Sequence, residues 1–460
     1  MLYPALRAAA DVALHWYYAD IVVQGRERIP AHGPLIITAN HPNALVDALV
    51  VGTTMRRRVL LTAKATLFEN PALATVLRTV GVVPLRRAKD ERDAAATISA
   101  SRNSDAFRMV TRALGRQGAV LVFPEGISHD EPSLAPLRTG AARMALTAAA
   151  DGVRGVRILP FGMVFEEKER PRSRVLVRID EPINVDEWLA ATRAPDAIRL
   201  TADIDSAMRR VTLNFASEVR ARRAIALARA LASIVEEPSS IGQTRPLATE
   251  TELAHRIDVA TDALASASPE TVRQADVLIT RVESLEARLA ERHVALTDVH
   301  VSPRMRHGAR FVLREGVLAV VTLPFAVLGR ITHWIPLRLA RMLALRTTAK
   351  DPSRDQPAMR TIVLGLAFVL LWYALQGVFL TRWFGIVAAL LWLTVIFLAA
   401  RVDFVLRDRL RRGWKRARSY LALRADPAFR ENALQEIQLL VTEALALEQR
   451  LVPPSFPAGR

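Results

Sequence analysis

Two residues early in the chain, His41 and Asp47, have the types and spacing of a proton-transfer pair. An apolar run, Ile36-Ile37-Thr38-Ala39, ends at Asn40; His41 follows, and Pro42 and Asn43 turn the chain into a helical pattern that carries Asp47. A histidine at a strand end stands where α/β folds commonly present reactive groups. Imidazole is the side chain best matched to taking a proton near neutral pH. A carboxylate beside it would hold one ring tautomer and stabilise the imidazolium, as the acid of a Ser-His-Asp triad does. On one continuous helix the two would not share a face, so His41 has to precede the helix and Asp47 has to lie in its first turns.

Two more apolar runs end in turns with chemistry-bearing residues. Gly118-Ala119-Val120-Leu121-Val122-Phe123 delivers Pro124-Glu125-Gly126 and then Ile127-Ser128-His129-Asp130. The glycine there allows backbone to come close to a ligand. Gly81-Val82-Val83-Pro84-Leu85 ends in Arg86 and Arg87, and the planar fork of arginine suits phosphate. Taken singly, each run also fits an ordinary strand-to-helix turn with solvated charges. His129, flanked by Ser128 and Asp130, is the rival base, but consecutive residues rarely converge on one reacting atom. The chain has no cysteine, which excludes disulfides, thiolate metal sites and a cysteine nucleophile. Gly126-Ile127-Ser128-His129-Asp130 lacks the second glycine of a GxSxG elbow. No metal site is evident and no cofactor is expected.

The elements that must position these residues follow from pattern. Residues 1–20 read as an interfacial helix, with Trp16 and Tyr17 suited to that depth; a helix packed on the catalytic domain fits equally. The start of the chain lacks the features of a signal peptide. Between 21 and 185, strand candidates at Ile21–Val23, Leu35–Thr38, Ala119–Phe123, Ile158–Met163 and Val175–Ile179 alternate with helical patterns around 101–115 and 138–150. That alternation predicts an α/β domain with a largely parallel core. Residues 186–310 are helical in pattern: Ser268-Pro269-Glu270 is a helix start, and Leu278, Val282, Leu285 and Leu289 mark one apolar face.

A membrane region is expected over 311–405, followed by a basic helical tail over 406–460. Thr361–Leu380 and Trp383–Ala400 carry no charge, and each is long enough to cross the hydrocarbon core. Their short connection predicts an antiparallel hairpin. Gly316–Gly329, shorter and containing Pro324, suits an interfacial or re-entrant piece. Arginines and lysines flank the pair on both sides, so the positive-inside rule puts both flanks, and with them the α/β domain, in the cytoplasm. The formal net charge of +17 calls for a polyanionic partner. Its concentration beside the apolar spans points to anionic membrane lipids rather than nucleic acid.

In this order the blocks resemble the glycerophosphate and lysophospholipid acyltransferase family. The histidine–aspartate block matches Asn40-His41 through Asp47, the glycine-to-arginine block Gly81 through Arg87, the Phe-Pro-Glu-Gly block Phe123–Gly126, and the proline-bearing strand Ile158-Leu159-Pro160-Phe161-Gly162. The likeness covers roughly residues 20–185. Most members keep four residues between histidine and aspartate, whereas five intervene here. That longer form looks more like the fungal-type glycerol-3-phosphate and dihydroxyacetone-phosphate acyltransferases.

The resemblance implies an acyltransferase-type mixed sheet flanked by helices. It also implies transfer of a fatty acyl group from acyl-CoA or acyl carrier protein to glycerol 3-phosphate or its 1-acyl derivative, lysophosphatidate. His41 would be the base and Asp47 its orienting acid; Gly81, Arg87, Pro124, Glu125, Gly126 and Pro160 would shape the acceptor pocket. Within that pocket the arginine would meet the phosphate, and the glutamate would contact hydroxyls or fix neighbouring cations. Two other readings remain open on sequence: a lysophospholipid acyltransferase or transacylase, and a non-catalytic basic protein binding a membrane surface or nucleic acid.

Overall fold

A computed structural model of the chain describes residues 2–64, 82–85, 107–235, 247–294, 296–299, 305–348 and 356–451. It divides into two compact units, Met1–Asn214 with Ala340–Leu366, and Phe215–Leu339 with Ala367–Arg460.

The first unit is built on a mixed sheet. Its strands are β1 (Asp20–Gln24), β2 (Leu35–Ala39), β3 (Val59–Lys64), β4 (Val82–Leu85), β5 (Ala119–Val122), β6 (Arg157–Phe165), β7 (Arg174–Ile179) and β8 (Ile183–Asn184), in the spatial order β1-β7-β6-β2-β5-β3-β4 with β8 beside β6. The pairs β2–β6, β2–β5, β3–β5 and β3–β4 are parallel. β6 pairs antiparallel with β7, and β1 runs parallel to β7. The parallel core expected from the alternating pattern is present, and the reversed β7 makes the sheet mixed. β3, β4 and β8 are not among the strand candidates, although Gly81–Leu85 reads as an apolar run. β3 follows three arginines, Arg56 to Arg58, directly, and β8 has only two residues.

β2 lies at the centre, and all five of its residues are buried. This is what a continuous apolar run encodes when both faces of a parallel strand are covered. On one face Leu35, Ile37 and Ala39 pack with Val46, Val50 and Val51 of helix α2 (Leu45–Thr54) and with Leu14 and Tyr18 at the end of helix α1 (Leu2–Tyr17). On the other, Ile36 packs with helix 107–115, helix Gly140–Ala150 and helix Ala197–Val211 through Leu114, Ala145 and Ile204. This unit is wider than the expected catalytic span of 21–185 because α1 and the helices up to Val211 bury their apolar faces in its core.

In the second unit, helix Pro269–Glu291 starts as its sequence dictates: the Ser268 side chain accepts from the Thr271 N–H, and Pro269 sits where no N–H is needed. Its predicted apolar face, Leu278, Val282, Leu285 and Leu289, is buried with Ile437 and Leu440 of helix Pro427–Leu451. Ion pairs Arg281–Glu443, Arg288–Glu436 and Arg292–Asp426 run along the seam. As one partner's number rises the other's falls, so the two helices are antiparallel.

The stretch 316–329 lies inside a longer helix, Met305–Thr348, which contains Pro324 and Pro336. Its part Leu313–Arg346 is long and apolar enough to cross a membrane, as is Ala358–Ala425. A straight helix of the latter length would be about three bilayer cores long. It is broken at Gly385, where φ is +84° and ψ 163°, a conformation that glycine adopts at little cost. The chain reverses there. The Trp392 indole N–H donates to the Gln376 amide oxygen at 2.9 Å, although sixteen residues of unbroken helix would separate them by about 24 Å. The expected hairpin is present, with its turn a few residues later than Arg382 and inside the second expected span.

Val320, Val321, Phe325, Val378, Trp383 and Val387 are more than half exposed along these helices. Apolar surface of this extent matches lipid rather than water. His333 donates to or accepts from the Tyr373 hydroxyl at 2.7 Å, a polar tie between helices of the kind membrane bundles use.

Candidate active site

The register of the sheet creates the site. Thr38 of β2 pairs with Val122 of β5 on one side and with Pro160 of β6 on the other. Because β2 and β5 run in the same direction, the turns that follow them emerge side by side. Asn40 extends the ladder with its side chain, donating to the Met163 carbonyl at 3.0 Å and accepting from the Met163 N–H at 2.8 Å. His41 is therefore held at the end of the central strand. Pro160 lies buried within β6. Gly81 and Arg87 lie outside the described residues.

The imidazole of His41 meets Asp47, with Nδ1 2.9 Å from Oδ2. Asp47 sits in the first turn of α2 and reaches back to accept the Asn43 N–H at 2.7 Å. This is a relative of the capping box, in which a first-turn acid satisfies an N–H before the helix. The entry is tight: Ala44 stands at φ +47° and ψ −127°, a region costly for a residue with a Cβ. The five-residue spacing is accommodated in this turn.

Asp47 is fully buried. Burial pushes its carboxyl up from the ordinary value, opposed by the hydrogen bond and charge of His41, the Asn43 N–H and the charge of Lys168. Asn43, also buried, donates its amide to the Tyr18 hydroxyl at 2.9 Å. The ring of His41 stacks on Phe123 with centroids 3.9 Å apart and planes 13° from parallel, which fixes its plane. With Asp47 ionised, its oxygen can only accept, so Nδ1 carries the proton and Nε2 holds the lone pair. His41 retains 13% side-chain exposure. A hydroxyl delivered to Nε2 would meet a base already oriented.

Glu125 joins the two turns. One of its oxygens accepts the His41 backbone N–H at 3.0 Å. The other accepts the Ala135 N–H at 2.8 Å and pairs with His129 Nε2. The Glu131 N–H donates to His129 Nδ1 at 3.2 Å, so Nε2 carries the proton that faces Glu125. The Glu125 hydrogen bond raises the His129 pKa against the opposing effect of burial. Pro124 and Gly126 complete the turn. Gly126 has φ +72°, and a Cβ there would fall 2.8 Å from the Nε of Arg138. Lys168, from the connection between β6 and β7, donates to the Pro42 carbonyl at 3.0 Å and pairs with Asp130.

The structure thus brings together His41, Asp47, Pro124, Glu125 and Gly126, and adds His129, Lys168 and Arg138. The partner of His129, the rival base, is Glu125, and His41 is the histidine paired with Asp47. Lys168 carries no signal in its local sequence. Arg138 stands where the helical pattern around 138–150 begins, and no motif in the sequence gives it a role. No group of three or more potential metal ligands occurs among the described residues.

Residues 20–164 match the acyltransferase domain family. This segment is an acyltransferase domain. The chain is 44% identical over 85 residues to glycerol-3-phosphate O-acyltransferase 2 of Saccharomyces cerevisiae, a match covering 18% of this chain and 11% of that one. It is 28% identical over 156 residues to a 1-acyl-sn-glycerol-3-phosphate acyltransferase of Borreliella burgdorferi, covering 34% and 55%. Each alignment spans less than two thirds of the relative's own length. Among solved structures, the 1-acyl-sn-glycerophosphate acyltransferase PlsC of Thermotoga maritima is similar at TM-score 0.35 and 20% identity, over 45% of this chain and 77% of that one. The family-matched segment contains both halves of the His41–Asp47 pair and the Glu125 turn.

Proposed function

We propose that this acyltransferase moves a fatty acyl group from acyl-CoA or acyl carrier protein to glycerol 3-phosphate or its 1-acyl derivative at the cytoplasmic face of a membrane. The observation that carries this reading is the 2.9 Å contact between His41 Nδ1 and a buried Asp47 oxygen, which leaves Nε2 as the basic atom. Nε2 takes the proton of the acceptor hydroxyl as that oxygen attacks the thioester carbonyl. The tetrahedral intermediate collapses, the C–S bond breaks, and the imidazolium returns its proton to the departing thiolate. The ester is the product. No acyl-enzyme is needed, because the thioester is already activated.

Glu125 acts one step back, holding the His41 backbone against the β5 turn. Arg87, at the position the family likeness gives to an acceptor-binding cation, has the role of binding the acceptor phosphate in this reading. The fungal relatives tilt the acceptor towards glycerol 3-phosphate. The apolar helices suit a reaction whose product is a lipid, and the basic flanks of the hairpin suit anionic headgroups on the cytoplasmic side.

His41→Ala tests it. Membranes carrying the variant should lose acyl transfer by on the order of 100-fold or more at unchanged protein level and membrane association. Retained transfer would remove His41 as the base. Offering glycerol 3-phosphate, its 1-acyl form and lysophosphatidylcholine in parallel identifies the acceptor. Acylation of the last alone would favour phospholipid remodelling instead.

A further inference from the structure

The acceptor in the proposed reaction carries a phosphate, and the guanidinium-bearing side chain of Arg138 lies against the Pro124–Gly126 turn. Arg138 donates its backbone N–H to the Pro124 carbonyl at 2.8 Å, which anchors it to the turn. Its side chain lies across Gly126, so close that a Cβ there would fall 2.8 Å from Nε and 2.9 Å from Cδ. The missing side chain at Gly126 is therefore what gives Arg138 its path. Arg138 makes no ion pair among the described residues and is exposed. Among the described residues, three carboxylates of the site are matched: Asp47 by His41, Glu125 by His129, and Asp130 by Lys168. Arg138 is a cation with no such partner among the described residues. Glu125, the residue before Gly126, bonds the His41 backbone directly, so the guanidinium is rooted in the same turn that holds the base. Lys168 uses two of its three donors on Pro42, the residue after His41, and on Asp130, leaving one.

We propose that Arg138, seated on Gly126, is a specificity-determining residue that receives the phosphate of the acceptor, with Lys168 contributing a second, Asp130-restrained charge. This rests on the acyltransferase reading above. Phosphate is carried by the acceptor and also by the acyl donor's carrier group, and the assignment is to the acceptor. A bidentate fork is the geometry for a phosphate dianion, and the fork here adjoins the residues that orient the base.

The test is steady-state kinetics on full-length protein in membranes, with wild type, Arg138→Gln, Arg138→Lys and Asp130→Asn. Arg138→Gln should raise KM for glycerol 3-phosphate about tenfold or more, with a smaller change in kcat, because a remote binding contact is lost rather than the base. KM for the acyl donor should move by less than about threefold, and Arg138→Lys should recover part of the loss. Asp130→Asn should shift acceptor KM in the opposite direction by releasing Lys168, a change a merely structural role would not give.

An unchanged acceptor KM in Arg138→Gln overturns the proposal. So does a KM effect confined to acyl-CoA that vanishes with a phosphate-free thioester donor. If wild type acylates no phosphorylated acceptor, the functional reading fails first. Binding then decides the remainder: glycerol 3-phosphate should protect wild type, and not Arg138→Gln, against thermal unfolding, and equal protection of both refutes the site.

Discussion

At the scale of single residues, the site depends on a carboxylate that the fold makes costly to bury. Burial raises the Asp47 pKa although His41, Asn43 and Lys168 all favour its charge. A folded-state pKa above the unfolded value means that the ionised form opposes folding at neutral pH. That cost fades as pH falls through the folded value towards the unfolded one near about 4. Asp47→Asn should therefore leave thermal stability at pH 7 unchanged or slightly raised. Acyl transfer should fall by about 10³- to 10⁴-fold, because an amide no longer holds the Nδ1–H tautomer. Scanning fluorimetry beside the transfer assay checks both halves, and a large loss of Tm would show that Asp47 is chiefly structural.

His129 has the opposite sign. Glu125 raises its pKa, so the stability this pair adds is complete below the unfolded histidine value near about 6.5. It is lost as pH rises through the folded one.

At the scale of elements, the entry to α2 sets the distance between base and acid. Ala44 at φ +47° is where the chain turns sharply enough for a first-turn aspartate to face a histidine placed before the helix. A β-branched residue tolerates that conformation least. Ala44→Val should destabilise the unit by about 1–3 kcal/mol and reduce transfer with it; denaturant unfolding measures the first. Ala44→Gly should be tolerated.

How much of this was legible in sequence differs between the two ends of the turn. His41 and Asp47 are six residues apart, and periodicity alone required the helix to begin between them. The strained Ala44, the stacking on Phe123 and the hydrogen bond that the His41 N–H donates to Glu125 had no local signal, because each is made or forced by chain packed from elsewhere. Likewise β7 read as a strand from its alternation, but its reversal came only from pairing with β6.

At the scale of the whole molecule, the absence of cysteine makes topology directly testable, since each introduced thiol will be the only one. The hairpin folded at Gly385 returns its chain to the side it left. Cysteines placed at Arg354 and at Arg418 should be labelled by an impermeant maleimide from the same side of sealed vesicles, and one at Phe384 from the other. Labelling of 354 and 418 from opposite sides would exclude the hairpin in the bilayer. Arg354 and Arg418 stand in the basic stretches that the positive-inside rule assigns to the cytoplasm.

The sequence by itself determined what is local. It specified the chemical pair and its order along the chain, the apolar strand that carries the histidine, the helix start at Ser268, and two uncharged runs long enough to cross a bilayer. Each depends on neighbours within a few residues, through propensity, capping or hydrophobic length. Only the tertiary structure decided which histidine pairs with Asp47 and which with Glu125, that Lys168 reaches Pro42 across 126 positions, and that Arg138 lies over Gly126. Those relations are set by the register of parallel strands, which brings together turns distant in sequence, and a side chain's partner there depends on packing that no single segment contains.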